Sequence, residues 1–369
     1  FRCDAGYMIP IPAWQYIIAR VRAQFPDTVF LLEGLGGKIS VTRELLGKAN
    51  FNWAYSELFQ NYSRKQIETY LAQTMDISIS EGPTVHFAET HDNNRLAATS
   101  MTYARMRTSL CALLSFQGGF GFANGVEWFA TEKIDVHDAP PLNWGAADNQ
   151  VAHISRLTRL LKNHPAFFQN ARLELLPMHD GNGIGLNRVD SDTGKKLLVL
   201  INLAVETPTR IGWDGNPHDW PAYAYDLLSG QKKRLQRSAT GLGIDLAPGE
   251  ALCLTQDPKD LKLLEVEAHH RFQEPKQVTH QRLCTKVLDI YKAYQGTGNL
   301  AGVDLDLLAT QLSKDPLAFC RNMNPHSDES RAIAWQWPQD VRREVMVPPN
   351  HFLLVQAASP FHCVIRRQD

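Results

Sequence analysis

The residues best equipped for chemistry lie in Thr84–Arg95, a short apolar run from Val85 to Ala88 followed by Glu89, Thr90, His91, Asp92, Asn93, Asn94 and Arg95. A strand that ends in acids, an imidazole and amides is how parallel α/β barrels present catalytic groups. The same layout occurs twice earlier in the chain. Phe1-Arg2-Cys3 leads to Asp4, and Val29-Phe30-Leu31-Leu32 leads to Glu33 and then to Gly34 and Gly36-Gly37. Three strand ends therefore each deliver one carboxylate. Carboxyl groups gathered in this way suit general acid–base work.

The elements that must hold these groups follow from the periodicity. Trp14, Ile17, Ile18, Val21 and Phe25 predict a helix of about 13 residues after Asp4, stopped by Pro26-Asp27. Thr28–Leu32 is short and almost wholly apolar, as in a strand buried on both faces. A short helix is expected over Val41–Leu46 and a weaker strand or loop over Asn50–Phe59. Ser63 and Gln66 have capping-box spacing and predict a helix to about Met75. Beyond the central strand come a long helix over Thr99–Phe116, a strand over Gly118–Phe122 and an amphipathic helix over Asp148–Asn163. Alternating strands and helices at this spacing indicate an α/β barrel or a doubly wound sheet. From Ala171 the pattern changes to short β-runs at Leu173–Leu176, Gly183–Arg188, Lys196–Leu203, Tyr223–Leu228, Ile244–Leu246 and Ala251–Leu254. That predicts an antiparallel sandwich. The tail is expected to hold helices at Lys259–Phe272, Val278–Gln295 and Asp304–Leu312. Its β-runs are expected at Arg331–Gln336, Arg343–Val347, His351–Gln356 and His362–Ile365. His269-His270 reads as a solvated helix face, and the tail shows no chemistry.

Bulk properties exclude several classes. The 369 residues carry a formal net charge of -1, which speaks against nucleic acid or an acidic membrane surface as partner. Six cysteines occur without a CxxC pair, so reduced thiols and a cytoplasmic setting are expected rather than a disulfide framework or a zinc site. No apolar run approaches the 18 or so residues of a membrane span. Because the chain opens at Phe1, already inside a strand, it is expected to be an internal piece of a longer protein. The remainder of that protein would then be its partner, since half a barrel alone leaves an open sheet edge.

Phe1–Ala5 (FRCDA), Phe30–Gly34 (FLLEG) and Phe87–Arg95 (FAETHDNNR) together resemble three successive signature segments of the α-amylase superfamily, glycoside hydrolase family 13. The resemblance covers residues 1 to about 256. It implies a fold in which residues 1–168 are the second half of a (β/α)8 TIM barrel and 169–257 an antiparallel β-sandwich; outside the resemblance, the residue pattern of 258–369 predicts a mixed α/β tail. It also implies retaining cleavage or transfer of α-glucosidic bonds in glycogen, starch or malto-oligosaccharides. On that likeness Asp4 matches the nucleophile, Glu33 the general acid/base and Asp92 the acid that holds and distorts the sugar. Arg2 matches the arginine that orients the nucleophile, and His91 the histidine that bonds sugar hydroxyls.

Lesser candidates for substrate contact are Tyr7, Trp53 and Trp128 as stacking platforms and Glu127 after the last strand. Arg95 serves either the site or a salt bridge to the barrel. No metal or cofactor is expected from these residues; calcium, where the family uses it, would come from upstream segments. Two departures stand out. Asp4 is followed by Ala-Gly-Tyr, without the Lys-His of calcium-dependent α-amylases, and Glu89-Thr90 precedes His91-Asp92 where many members have Asn. Thr90–Asn93 is closer to the glucanotransferase half of glycogen-debranching enzymes. The rival reading is a non-catalytic carbohydrate-binding or scaffold module on an amylase-like barrel.

Overall fold

The computed structural model describes residues 1–117, 119–135, 137, 142–179, 181–265, 276–295, 302–315, 318–319, 341–347, 351–359 and 362–368. Two compact units are formed, one from 1–140 with 150–265 and the other from 141–149 with 266–369.

The first unit begins with alternating strands and helices: β1 (Arg2–Cys3), α1 (Ile11–Gln24), β2 (Leu31–Leu32), α2 (Ile39–Ala49), β3 (Trp53–Ser56), α3 (Arg64–Ser80), β4 (Thr84–Phe87), α4 (Leu96–Thr99), α5 (Met101–Leu113), β5 (Phe120–Gly121) and α6 (Val151–Asn163). The five strands form one parallel sheet in sequence order. Helix α1 starts earlier than its apolar pattern suggests, with Pro12 in the first turn, where a missing N–H leaves nothing unsatisfied. It buries Trp14 and Ile18, whereas Ile17 and Phe25 from the predicted face are exposed. Trp14 donates from Nε1 to the Gly6 carbonyl at 2.8 Å and meets Phe51 edge-on at 5.1 Å, so the helix is anchored by one ring.

Ser63 caps α3 as its spacing implies, with both halves of the capping box made, and the helix runs on to Ser80. The helix expected over Thr99–Phe116 is α5, Met101–Leu113, and the short α4 precedes it. Ser100, at φ -171 and ψ 160, breaks the chain and its hydroxyl accepts from the Tyr103 N–H to start α5 afresh.

Nine antiparallel strands follow: β6 (Ala171–Leu175), β7 (Gly183–Asp190), β8 (Lys196–Asn202), β9 (Thr209–Asp214), β10 (Tyr223–Asp226), β11 (Lys232–Arg234), β12 (Gln236–Arg237), β13 (Gly241–Leu246) and β14 (Ala251–Thr255). They make a six-stranded sheet, β11-β10-β14-β8-β7-β6, and a three-stranded sheet, β12-β13-β9. Strand β8 explains why barrel strands and sandwich share one compact unit. Its side chains alternate between faces. Leu197, Val199 and Ile201 join Leu110 and Leu157 of the barrel helices, while Leu198 and Leu200 join Ile211, Trp213 and Trp220 between the two sheets. Arg188 fastens the same junction. Fully buried, it donates to the carbonyls of Leu113, Ser115 and Ala166 at 2.8–2.9 Å and lies 3.8 Å over the Phe167 ring. Burial lowers its pKa to about 9.

Pro258–Leu264 is a 3-10 turn rather than the start of a long helix. The second unit contains α7 (Lys276–Gln295), α8 (Leu305–Lys314) and an antiparallel sheet of β15 (Val341–Val347), β16 (His351–Ser359) and β17 (His362–Gln368). Leu283, Val287 and Ile290 of α7 pack on Ala309 and Leu312 of α8. The expected run Arg331–Gln336, His269-His270 and Cys320 lie outside the described residues.

Candidate active site

Asp4 and Glu33 stand directly past the C-terminal ends of β1 and β2, and Asp92 lies in the loop that follows β4. Strand β1 ends at Cys3, and Asp4 follows, its side chain mostly exposed and 2.5 Å from Arg2 Nη1. Ala5 turns the chain with a left-handed φ of 42. That sparsely populated conformation aims the Ala5 N–H at Glu33 Oε2, 2.7 Å away. The other carboxylate oxygen of Glu33 accepts from the Leu35 N–H at 3.0 Å. Backbone bonds from Glu33 N to Cys3 O (3.1 Å) and from Gly6 N to Glu33 O (3.0 Å) lock the two strand ends together. Glu33 is 7% exposed, so its carboxyl is held nearly dry beside the residue that follows Asp4.

Strand β3 adds a group that pattern reading passed over. Tyr55 sits with its ring centroid 5.7 Å from the Arg2 guanidinium carbon and 4.3 Å from the Phe87 ring of β4. Burial raises its phenol pKa; Arg2 opposes that rise, while Glu33 and Asp92 add to it, so all four share one electrostatic environment. Trp53, the platform expected from sequence, opens β3 two residues earlier, level with Leu31. It stands about 7 Å lower along the strand. The aromatic ring beside the acids is therefore that of Tyr55. Tyr55 lies one position beyond the partner of Leu32, level with the point where β2 gives way to Glu33.

The third segment divides into a buried half and an exposed half. His91 and Asp92 are the exposed half, with His91 Nε2 3.4 Å from Asp92 Oδ1. Thr90 below them donates to Asn93 Oδ1 at 2.5 Å and closes the turn. Glu89 and Arg95 are the buried half. Their side chains are 2% and 0% exposed, with Glu89 Oε1 2.8 Å from Arg95 Nη1. Glu89 Oε2 accepts from the Leu96 N–H at 2.7 Å, and Arg95 Nη2 donates to the Asn124 carbonyl at 2.5 Å. Arg95 is thus buried against Glu89 and the Asn124 carbonyl beneath the turn that carries His91 and Asp92. Burial pushes the Glu89 carboxyl up to about 7, outweighing the Leu96 N–H and Arg95; nearby Glu127 adds to the rise. Glu127 and Trp128 are half-buried in the turn Val126–Trp128, and Glu127 Oε2 accepts from the Gly125 N–H at 2.9 Å. Tyr7 is half-buried and packs over Gly37, where an added Cβ would lie 3.0 Å from the Tyr7 ring.

The first unit thus joins a parallel strand–helix array, with acids beyond the ends of β1, β2 and β4, to a two-sheet β-domain. Residues of this chain align with alpha-1,4-glucan:maltose-1-phosphate maltosyltransferases, at 26% identity over 259 residues for that of Cereibacter sphaeroides (63% of this chain, 37% of the relative). For that of Burkholderia pseudomallei the identity is 30% over 183 residues (45% and 15%). Among solved structures, a noncanonic maltogenic alpha-amylase from Thermotoga neapolitana superposes with a TM-score of 0.55 at 15% identity, covering 69% of this chain and 60% of that one. An alpha-amylase from H. orenii gives 0.53 at 14% identity, covering 69% and 58%. No protein-family profile matches the chain. The chain is thus similar to maltosyltransferases in sequence and to alpha-amylases in fold, and it spans less than two fifths of the length of the maltosyltransferases it matches first.

Proposed function

We propose that the chain carries the catalytic acids of a retaining α-glucan transglycosylase. The observation that carries this reading is the tie between two strand ends. The N–H that follows Asp4 binds the Glu33 carboxylate, and this link between the two strand ends supports reading the acids as the pair that double displacement at an anomeric carbon requires. Asp4 attacks the anomeric carbon while Glu33 gives its proton to the departing glycosidic oxygen. A glycosyl ester of Asp4 remains. Glu33 then takes the proton of an incoming hydroxyl as that oxygen displaces Asp4, which leaves the acid and the carboxylate as they began.

Arg2, paired with Asp4, keeps the nucleophile oriented. Asp92 and His91 are the exposed groups able to hold sugar hydroxyls, and the Tyr55 ring supplies an apolar wall. Glu127, Trp128 and Tyr7 are proposed as the outer rim. The maltosyltransferase likeness favours a sugar acceptor, or maltose-1-phosphate as donor, over water. The debranching-type lean rests on Thr90–Asn93 alone. Free Cys3, Cys111, Cys253 and Cys284 support a reducing, cytoplasmic setting.

The test uses the full-length gene product with maltoheptaose, with and without maltose-1-phosphate, and product lengths read by chromatography. Products longer than the substrate are expected, and Asp4→Asn is expected to abolish them. Only shorter products would make the protein a hydrolase. Binding without turnover, unchanged by Asp4→Asn, would favour the binding-module reading.

A further inference from the structure

The second unit brings together three side chains that nothing in the glucan chemistry uses. His280 and Cys284 are one turn apart on α7, which places both on one face. Asp306 stands in the first turn of α8. His280 Nε2 lies 2.7 Å from Asp306 Oδ1, the Cys284 sulfur 3.7 Å from His280 Nε2, and the same sulfur 3.9 Å from Asp306 Oδ1. All three donor atoms fall within 4.8 Å of one another. We propose that His280, Cys284 and Asp306 bind a zinc-class divalent cation that clamps α7 to α8.

The triangle has the right size. Bonds of about 2.0 Å to nitrogen and oxygen and about 2.3 Å to sulfur put neighbouring tetrahedral donors roughly 3.3–3.6 Å apart. Both edges to sulfur are within a few tenths of an ångström of that. The His280–Asp306 edge is a hydrogen bond now, and it opens by about half an ångström when an ion replaces the shared proton. The donor set selects the metal. A thiolate is foreign to calcium and magnesium, whereas nitrogen, sulfur and one carboxylate oxygen are the ordinary ligands of zinc and of its cobalt surrogate. The fourth position is left to water, because Asp306 is exposed and His280 and Cys284 are half-exposed.

The support beneath the ligands is independent of them. Leu283 and Val287 of α7 pack against Ala309 and Leu312 of α8, so the two helices hold their faces together before any ion arrives. Cys284 also lies 3.9 Å from the Leu305 carbonyl, which keeps its sulfur turned toward the α8 start. Two lysines, Lys276 and Lys314, line the hollow beside His280. Their charge weakens cation affinity, and the carboxylate and thiolate supply the two negative charges that offset it.

The test is a cobalt titration of the full chain after dialysis against chelator, followed by zinc competition. Expected is one cobalt ion per chain with thiolate-to-cobalt charge-transfer absorption, displaced by zinc. Cys284→Ser should abolish that absorption, and Asp306→Asn, at an exposed position where folding is not at stake, should weaken binding by about tenfold or more. Absence of the absorption in the parent protein would overturn the site. So would absorption that persists in Cys284→Ser, or affinity unchanged in both Asp306→Asn and His280→Gln.

Discussion

The Glu89–Arg95 pair beneath His91 and Asp92 offers the sharpest test of how the site is held. Arg95→Met keeps most of the volume and removes the charge, leaving Glu89 at 2% exposure with only the Leu96 N–H. Breaking a buried ion pair in this way costs about 3–5 kcal/mol while the orphaned acid stays ionised. Glu89 has an escape, because its pKa already stands at about 7 and losing Arg95, a lowering influence, moves it higher. At pH 5 the acid is protonated in both proteins, and the loss shrinks to the Asn124 hydrogen bond and packing, about 1–2 kcal/mol. Urea unfolding of parent and variant at pH 5 and pH 8 measures the difference directly. A penalty equal at the two pH values, or below about 1 kcal/mol at pH 8, would refute the reasoning. Glu89→Gln added to Arg95→Met should recover part of the pH 8 loss, as a double-mutant cycle requires of coupled partners.

The parent protein should show its own pH signature, read in the same unfolding experiment. Glu89, raised by burial to about 7 from an ordinary 4.5, binds its proton more tightly folded than unfolded. Its contribution is full below pH 4.5 and is lost as pH rises through 7, to a limit of about 3 kcal/mol. His86 and His153, lowered by burial to about 4, act in the opposite sense: their contribution is present above pH 6.5 and is lost as pH falls toward 4. Stability should therefore climb from pH 4 to about 6.5 and fall slightly beyond it; in His86→Gln the climb should be shallower. Glu33→Gln and Asp92→Asn should each lower glucan turnover by about three orders of magnitude without shifting the unfolding midpoint by much. Gly125→Ala should destabilise by about 1–3 kcal/mol, because φ is 97 there and a Cβ would fall 1.9 Å from Arg95 Nη2. Ala5→Gly should keep turnover within about twofold and leave stability equal or slightly higher, since glycine adopts the left-handed φ without strain while keeping the N–H to Glu33.

The three acids were legible because each lies beyond the C-terminal end of a short strand: Asp4 directly after β1, Glu33 directly after β2, and Asp92 in the polar run that Glu89 opens after β4. Tyr55 escaped that reading because it lies inside β3, ahead of the polar Ser56 and Glu57 rather than beyond the strand end. Strands β9, β11 and β12 escaped for a related reason. Lys232-Lys233-Arg234 and Gln236-Arg237 are edge or surface strands whose pairing depends on distant partners, and Thr209–Asp214 has only Ile211 and Trp213 to mark its buried face.

Glu89 and Arg95 mark a different limit of sequence reading. A run of seven polar residues looks uniformly solvent-facing, yet only its middle is. Its two ends fold under and pair, so that the turn carrying His91 and Asp92 is pinned from below by a charge pair with no exposed atom to spare. Period-based reading assigns polar residues to water, and it fails where two opposite charges six positions apart can satisfy each other. The same argument applies to His280, Cys284 and Asp306. His280 and Cys284 show helical spacing that a sequence can reveal, but the third member comes from another helix and joins them only when the apolar faces of α7 and α8 meet.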